Sequence, residues 1–234
     1  MKMNWRLILV VLWVVASVAP AKAQIAYYGR ANGLEVSVLS LLNFTVADTG
    51  WLPTSGGNLT NGVASASVLS GPTTVATTGI ISTQTTGAAA VVNSVAQVDG
   101  LRIFPGLIPA LDLVNATVVR STADATLSST LGTSTITNLF VLGNSVTVTG
   151  APIQTVSVPG VLNLTINRQT VTGGVLRVDA LYLDILSPLN AGTISVASSY
   201  AGVSAPEPSS ACLAGLAIPG LCGIIVRRRR SCVS

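Results

Sequence analysis

The chain has 234 residues, 49% of them hydrophobic and only 9% charged, with no histidine. Its formal charge of +4 sits at the ends, on Lys2, Arg6 and Lys22 and on Arg227, Arg228, Arg229 and Arg230. Between them five arginines (30, 102, 120, 168 and 177) stand singly against seven acids (35, 48, 99, 112, 124, 179 and 184), a net of −2 without clustered cations, which argues against a nucleic-acid partner.

The first segment, "MKMNWRLILVVLWVVASVAPAKAQ", has a basic start, an apolar run over 7–18 and a small-x-small site at Ala21 and Ala23. That order predicts a signal peptide over 1–23, cleaved by signal peptidase before Gln24. The alternative is an uncleaved anchor, for which a twelve-residue run is short. Export of the rest is the expectation.

The body, 24–204, is expected to be all-β and antiparallel, as a β-sandwich-like extracellular domain. In "LEVSV", Leu34, Val36 and Val38 alternate with Glu35 and Ser37. Leu162, Leu164 and Ile166 share a parity in "VLNLTINR", and Ile194, Val196 and Tyr200 are assigned one face opposite Thr193, Ser195 and Ser199. Such period-two patterns, rich in β-branched residues, mark half-buried strands. Turn punctuation falls at Gly71-Pro72, Gly106 with Pro109, and Pro159-Gly160. Gly143-Asn144 is expected to join "TITNLFVL" to "SVTVT" as a two-residue hairpin, and Gly173-Gly174 to join the two strands after it. The Thr/Ser/Ala/Gly-rich stretch 62–97 leaves a β-solenoid as the alternative, although no clean period runs through it.

Chemistry has few residues to draw on. Without histidine, and without lysine or cysteine between the ends, Ser-His, Cys-His and Ser-Lys nucleophiles and the usual zinc ligand sets are absent. Only carboxylates are left, so no enzyme, cofactor or metal site is expected. Asp48-Thr49-Gly50 has the form of an aspartic-protease loop, but it occurs once and continues with Trp51; a turn is the plainer reading. Asp179 and Asp184 are expected on opposite strand faces by their odd spacing, with Asp179 as a solvated partner of Arg177. Arg102 with Asp99, and Arg120 with Asp124, are expected as surface pairs. Asn43, Asn58, Asn115 and Asn163 each open an Asn-x-Thr triplet, as chance allows in so Thr-rich a chain. Aromatics suited to stacking on a sugar are few: Tyr27, Tyr28, Trp51, Tyr182, Tyr200, Phe44, Phe104 and Phe140, with Tyr27, Tyr28 and Trp51 placed best, near turns.

The chain closes on Pro206-Glu207-Pro208, an apolar run and Arg227 to Arg230. The apolar run 211–226, slightly short for a bilayer core, is just long enough for a single transmembrane helix over 209–226 when Ser209 and Ser210 extend it. The arginines would hold its end in the cytoplasm. The alternative, a core helix with a basic cap, fits poorly with a run apolar all round and broken by Pro219-Gly220. The three parts, over 205–230, resemble the PEP-CTERM sorting signal of Gram-negative bacteria. The resemblance implies an exosortase as processing partner, a membrane anchor before processing, and a cell-surface or extracellular-matrix destination afterwards. In the body, "GNSVTVTGAPIQTVSVPGVLNLTINRQTVTGGVLRVDALYLDI", with the opening "AYYGRANGLEVSVL", resembles the choice-of-anchor P family of bacterial surface proteins. That resemblance covers most of 25–201 and implies an extracellular domain without an assigned activity. The expectation is a structural surface or matrix protein, with an exopolysaccharide-binding module as the alternative and a carboxylate hydrolase as a remote one.

Overall fold

A computed structural model describes residues 24–38, 42–70, 73–106, 112–186 and 192–205. Fifteen strands follow in chain order: β1 (Ala26–Val38), β2 (Leu42–Val46), β3 (Gly57–Val63), β4 (Ala66–Ser70), β5 (Thr73–Thr78), β6 (Ile81–Ala88), β7 (Val91–Ile103) and β8 (Val114–Thr126). After them come β9 (Thr130–Thr137), β10 (Phe140–Val141), β11 (Asn144–Ser145), β12 (Gln154–Val158), β13 (Leu162–Thr172), β14 (Val175–Ile185) and β15 (Gly192–Ser204). Ile25–Ser204 form one compact unit. Among the described residues there is no helix, and so none long and apolar enough to cross a membrane.

The strands make two sheets. Sheet A runs β12-β13-β14-β15-β1-β2; sheet B runs β11-β10-β8-β7-β5-β4, with β6 and β3 added beside β7 and β9 beside β8. Every described pairing is antiparallel. β15 packs over β7 and β8, β1 over β6 and β7, and β14 over β8 and β9. The β-sandwich-like expectation therefore holds. The stretch 62–97 forms β4, β5, β6 and parts of β3 and β7, paired as antiparallel neighbours rather than as solenoid coils.

Both sheets carry a fault line across their strands. In sheet A, Asn167, Ala180, Ala197 and Gly33 fall at one level and are skipped by the ladder pairing on either side. Asn167 and Ala197 have φ of 53° and 51°, in the left-handed region. In sheet B the same happens at Gly100 and Thr117, where β7 passes from pairing with β6 to pairing with β5, and β8 from β9 to β10. Gly100 and Asn138 take φ of 60° and 53° there. One extra residue per strand leaves the register constant but reverses which parity faces inward.

The core divides along these lines. In the aliphatic half Leu34, Val36, Leu162, Leu164, Ile166, Leu181, Leu183, Ile185, Ile194 and Val196 point in from sheet A, each at most 1% exposed. They meet Leu101, Ile103, Val114 and Val141 of sheet B and Leu139 between β9 and β10. Beyond the line the inward residues are mostly smaller or polar: Ala201, Val178 and Leu176 from sheet A, and Val92, Ala123 and Ala125 from sheet B, with Leu52 packed against them and Thr85, Ser94, Ser121 and Ser199 buried among the polar residues. Ser121 and Ser199 hydrogen-bond each other between the sheets at 2.6 Å. Close approach needs glycine: a Cβ on Gly33 would stand 2.1 Å from Ile81 Cγ2, and one on Gly29 2.5 Å from Thr85 Cγ2.

The fault lines overturn three expectations. Tyr200 does not share the inward face of Ile194 and Val196; past Ala197 it lies outside, beside Arg177 in the ladder. Asp179 and Asp184, on either side of Ala180, share the outer face rather than opposing faces. "TITNLFVL" is not one strand, since Asn138 breaks it between β9 and β10. The hairpin that follows turns on Leu142-Gly143, both with positive φ, not on Gly143-Asn144, and strand pairing stops after Ser145. Gly173-Gly174 and Pro159-Gly160 turn where expected.

Candidate functional site

The outer face of sheet A gathers charge and aromatic rings side by side. Where β13, β14, β15 and β1 run side by side, one ladder level carries Thr170, Arg177, Tyr200 and Arg30, and the next carries Arg168, Asp179, Ser198 and Asn32. Past the fault line, Thr165, Tyr182, Ser195 and Glu35 share a level with Thr45 of β2.

Asp179 is the centre of this array and its side chain is fully buried. It accepts hydrogen bonds from Arg168 Nε (3.0 Å), Arg177 Nε (2.8 Å) and Ser198 Oγ (2.6 Å), and Arg168 Nη2 adds a contact of 2.9 Å. Arg177 was expected as its partner; the expectation of a solvated pair fails, because two arginines and a serine enclose the carboxylate. Arg177 Nη2 reaches on to Glu35 and to Ser195 Oγ, each at 3.2 Å.

The Asp48-Thr49-Gly50 turn docks on the end of the same array. Arg30 grips both oxygens of Asp48, at 2.9 and 2.6 Å, and Gly50 N–H donates to Oδ1 at 2.8 Å. Thr49 Oγ1 accepts from Ala31 N–H at 2.9 Å. Hydrogen bonding from Arg30 holds the Asp48 carboxyl below its ordinary range, against burial, with the Gly50 amide adding to the effect. The motif is thus a turn locked to β1, with its carboxylate committed to an arginine.

Aromatic rings lie between the charges. Arg168 stacks over Tyr182 at 3.5 Å, Arg177 over Tyr200 at 5.1 Å and Arg30 over Trp51 at 5.8 Å. Trp51 meets Tyr200 edge to face, with centroids 5.5 Å apart. Burial pushes the Tyr200 phenol up to about 12, with Arg177 pulling the other way. Trp51 is 50% exposed and Tyr28, one level further along β1, 38%. Tyr27 points the other way: its hydroxyl accepts from Ala90 N–H and its ring packs on the core. Phe44 is exposed on β2, Phe104 is buried, and Phe140 lines a concavity of sheet B.

The other expected pairs change partners. Arg102 pairs bidentately with Asp112 at 2.8 and 2.9 Å, while Asp99 accepts from Gln97. Asp124 accepts from Asn93 Nδ2 rather than meeting Arg120. Four residues along a strand separate Arg120 from Asp124 by roughly 13 Å, too far for a pair. An open concavity of about 490 Å³ lies beside Arg102 and Asp112, with Asn115, Thr117, Asn138 and Phe140 on its walls. Asn43, Asn58 and Asn163 are exposed and Asn115 is half-buried. Among the described residues no group of three or more acids converges as metal ligands. Gln24 is exposed; Ala21, Ala23, Pro206, Glu207, Pro208, Arg227, Arg228, Arg229 and Arg230 lie outside the described residues.

The network escapes a reading of the sequence because its partners are distant in the chain, with Arg177 and Glu35 142 residues apart. The available signal was compositional: three of the five arginines between the termini lie in or beside strands that also carry tyrosine. No protein-family model, curated protein or solved structure matches this chain.

Proposed function

We propose that the chain is a precursor of a non-enzymatic bacterial surface or extracellular-matrix protein. A leader over 1–23 would export it, and the PEP-CTERM-like tail over 205–230 would hold it in the membrane until an exosortase reads Pro206-Glu207-Pro208. The supporting observation is that the compact β unit spans Ile25–Ser204, between the two address-like ends. That body has no cysteine, and ion pairs and packing hold it, which suits use outside the cell without an oxidising step. Intact-mass analysis of the protein from its native host tests the reading. Masses that begin at Gln24 and end near the Pro-Glu-Pro support it, and a full-length mass overturns it.

A second reading has an observation of its own. The half-exposed Trp51 and Tyr28 beside Tyr200 form a rigid aromatic patch on a sheet face, the kind of surface on which a polysaccharide-binding module stacks sugar rings. Binding to a glycan array would favour it over a purely structural role.

A further inference from the structure

We propose that the Trp51–Tyr28–Tyr200 patch binds a neutral polysaccharide, not an acidic one; this rests on the carbohydrate-binding reading and specifies its site and ligand class. Trp51 is fixed from three sides. Leu52 N–H, next in the chain, donates to Gly29 O at 2.8 Å, Tyr200 meets the indole edge to face, and Arg30 stands over the ring. A ring this constrained loses little freedom on binding, yet half its surface is open. Tyr28 is a second open ring, on β1 at the ladder level next to the Arg30–Tyr200 pair. The C–H bonds on one face of a pyranose carry slight positive charge and suit the negative face of an aromatic ring.

The charge array decides between ligand classes. Arg30, Arg168 and Arg177 stand against Asp48, Asp179 and Glu35, three against three, and each arginine already contacts a carboxylate. Tyr200, with its phenol near 12, adds no charge at neutral pH. An acidic chain would therefore meet no free cation, whereas a neutral one loses nothing by the pairing. Stacking supplies the binding, and the paired polar groups at the rim offer hydrogen bonds to hydroxyls.

The full chain is purified in detergent with Trp5→Phe and Trp13→Phe, so that Trp51 is the only indole. It is titrated with cellohexaose, maltohexaose and hexagalacturonate, with Trp51 emission and calorimetry as readouts. A neutral hexasaccharide is expected to bind, shift Trp51 emission to the blue and keep its affinity as salt is raised. Trp51→Ala is expected to weaken binding ~10-fold or more, and Tyr28→Ala less, while Phe44→Ala on the β2 edge leaves it unchanged. Thermal melts of each variant separate lost binding from lost folding. Neutral binding that survives both Trp51→Ala and Tyr28→Ala overturns the site but keeps the carbohydrate reading. Salt-sensitive binding of hexagalacturonate alone overturns the ligand class. Binding of none of the three overturns both.

Discussion

The two halves of the sandwich are built on different terms. In the aliphatic half, large side chains from both sheets fill the space between them, and the outer face of sheet A carries threonine, serine and asparagine with Tyr182, Glu35 and Asp184. In the other half the inward residues are mostly alanine, serine, threonine and valine, with Leu176 among them, and the outer face carries the arginines and Asp179 at the centre of the array. The array braces β13, β14, β15 and β1 where the interior offers less apolar area. Hydrophobic burial stabilises by roughly 25 cal/mol per Å², so a half lined by small residues has less to draw on. The contrast teaches that the charged face serves stability as well as any binding role, and that the two can be separated by substitution.

The largest effect is expected where the brace is centred. Asp179→Ala would leave Arg168 and Arg177 side by side without their carboxylate, in a partly desolvated setting. Breaking a buried pair by removing one partner costs about 3–5 kcal/mol, and chemical denaturation should show a loss in that range. If the loss is below about 1 kcal/mol, the array is ornamental to the fold and the contrast between the halves collapses. Gly33→Ala probes the boundary itself. Its Cβ would stand 2.1 Å from Ile81 Cγ2, so Ile81 or the backbone on either side must shift, at a cost of about 1–3 kcal/mol.

Much of the aliphatic half was legible in the sequence, because Leu162, Leu164 and Ile166 keep strict alternation until the strand reaches Asn167. The glycine turns at 160 and 173–174 were legible too, since a positive φ restricts the choice of residue. The fault lines were not. Ala180 and Ala197 are ordinary strand residues, and nothing local marks them as points where parity reverses. That single reversal misplaced Tyr200 and the Asp179–Asp184 relation together. Of the three aromatics singled out near turns, Trp51 and Tyr28 are open but Tyr27 is turned onto the core, and Tyr200 and the arginines join the site only through pairing across four strands.

Acid titration sharpens the comparison from the edge of the array. The Asp48 carboxyl lies below its ordinary 3.8 in the folded state because Arg30 bonds it. Its contribution is therefore complete above that value and drains away as the pH falls through the lower folded value. Asp48→Asn should cost about 1 kcal/mol at neutral pH, reduced by solvent screening. The two proteins should converge in stability as the pH drops below 4, within the limits of linkage. A difference that stays constant through this range would mean that the turn is held by Thr49 and the Gly50 amide instead of by the ion pair.

The smallest effect belongs to Arg102, and its smallness is informative. Its bidentate geometry with Asp112 is as good as that of Arg30 with Asp48, at 2.8 and 2.9 Å. The Arg102 side chain, however, is 57% exposed, against 24–26% for the arginines around Asp179. Water already solvates most of the guanidinium, so the pair exchanges one set of good contacts for another, and Arg102→Ala should cost below about 1 kcal/mol in a thermal melt. Equal losses for Arg102→Ala and Asp179→Ala would show that pairing geometry, not burial within the braced face, sets the strength of these contacts.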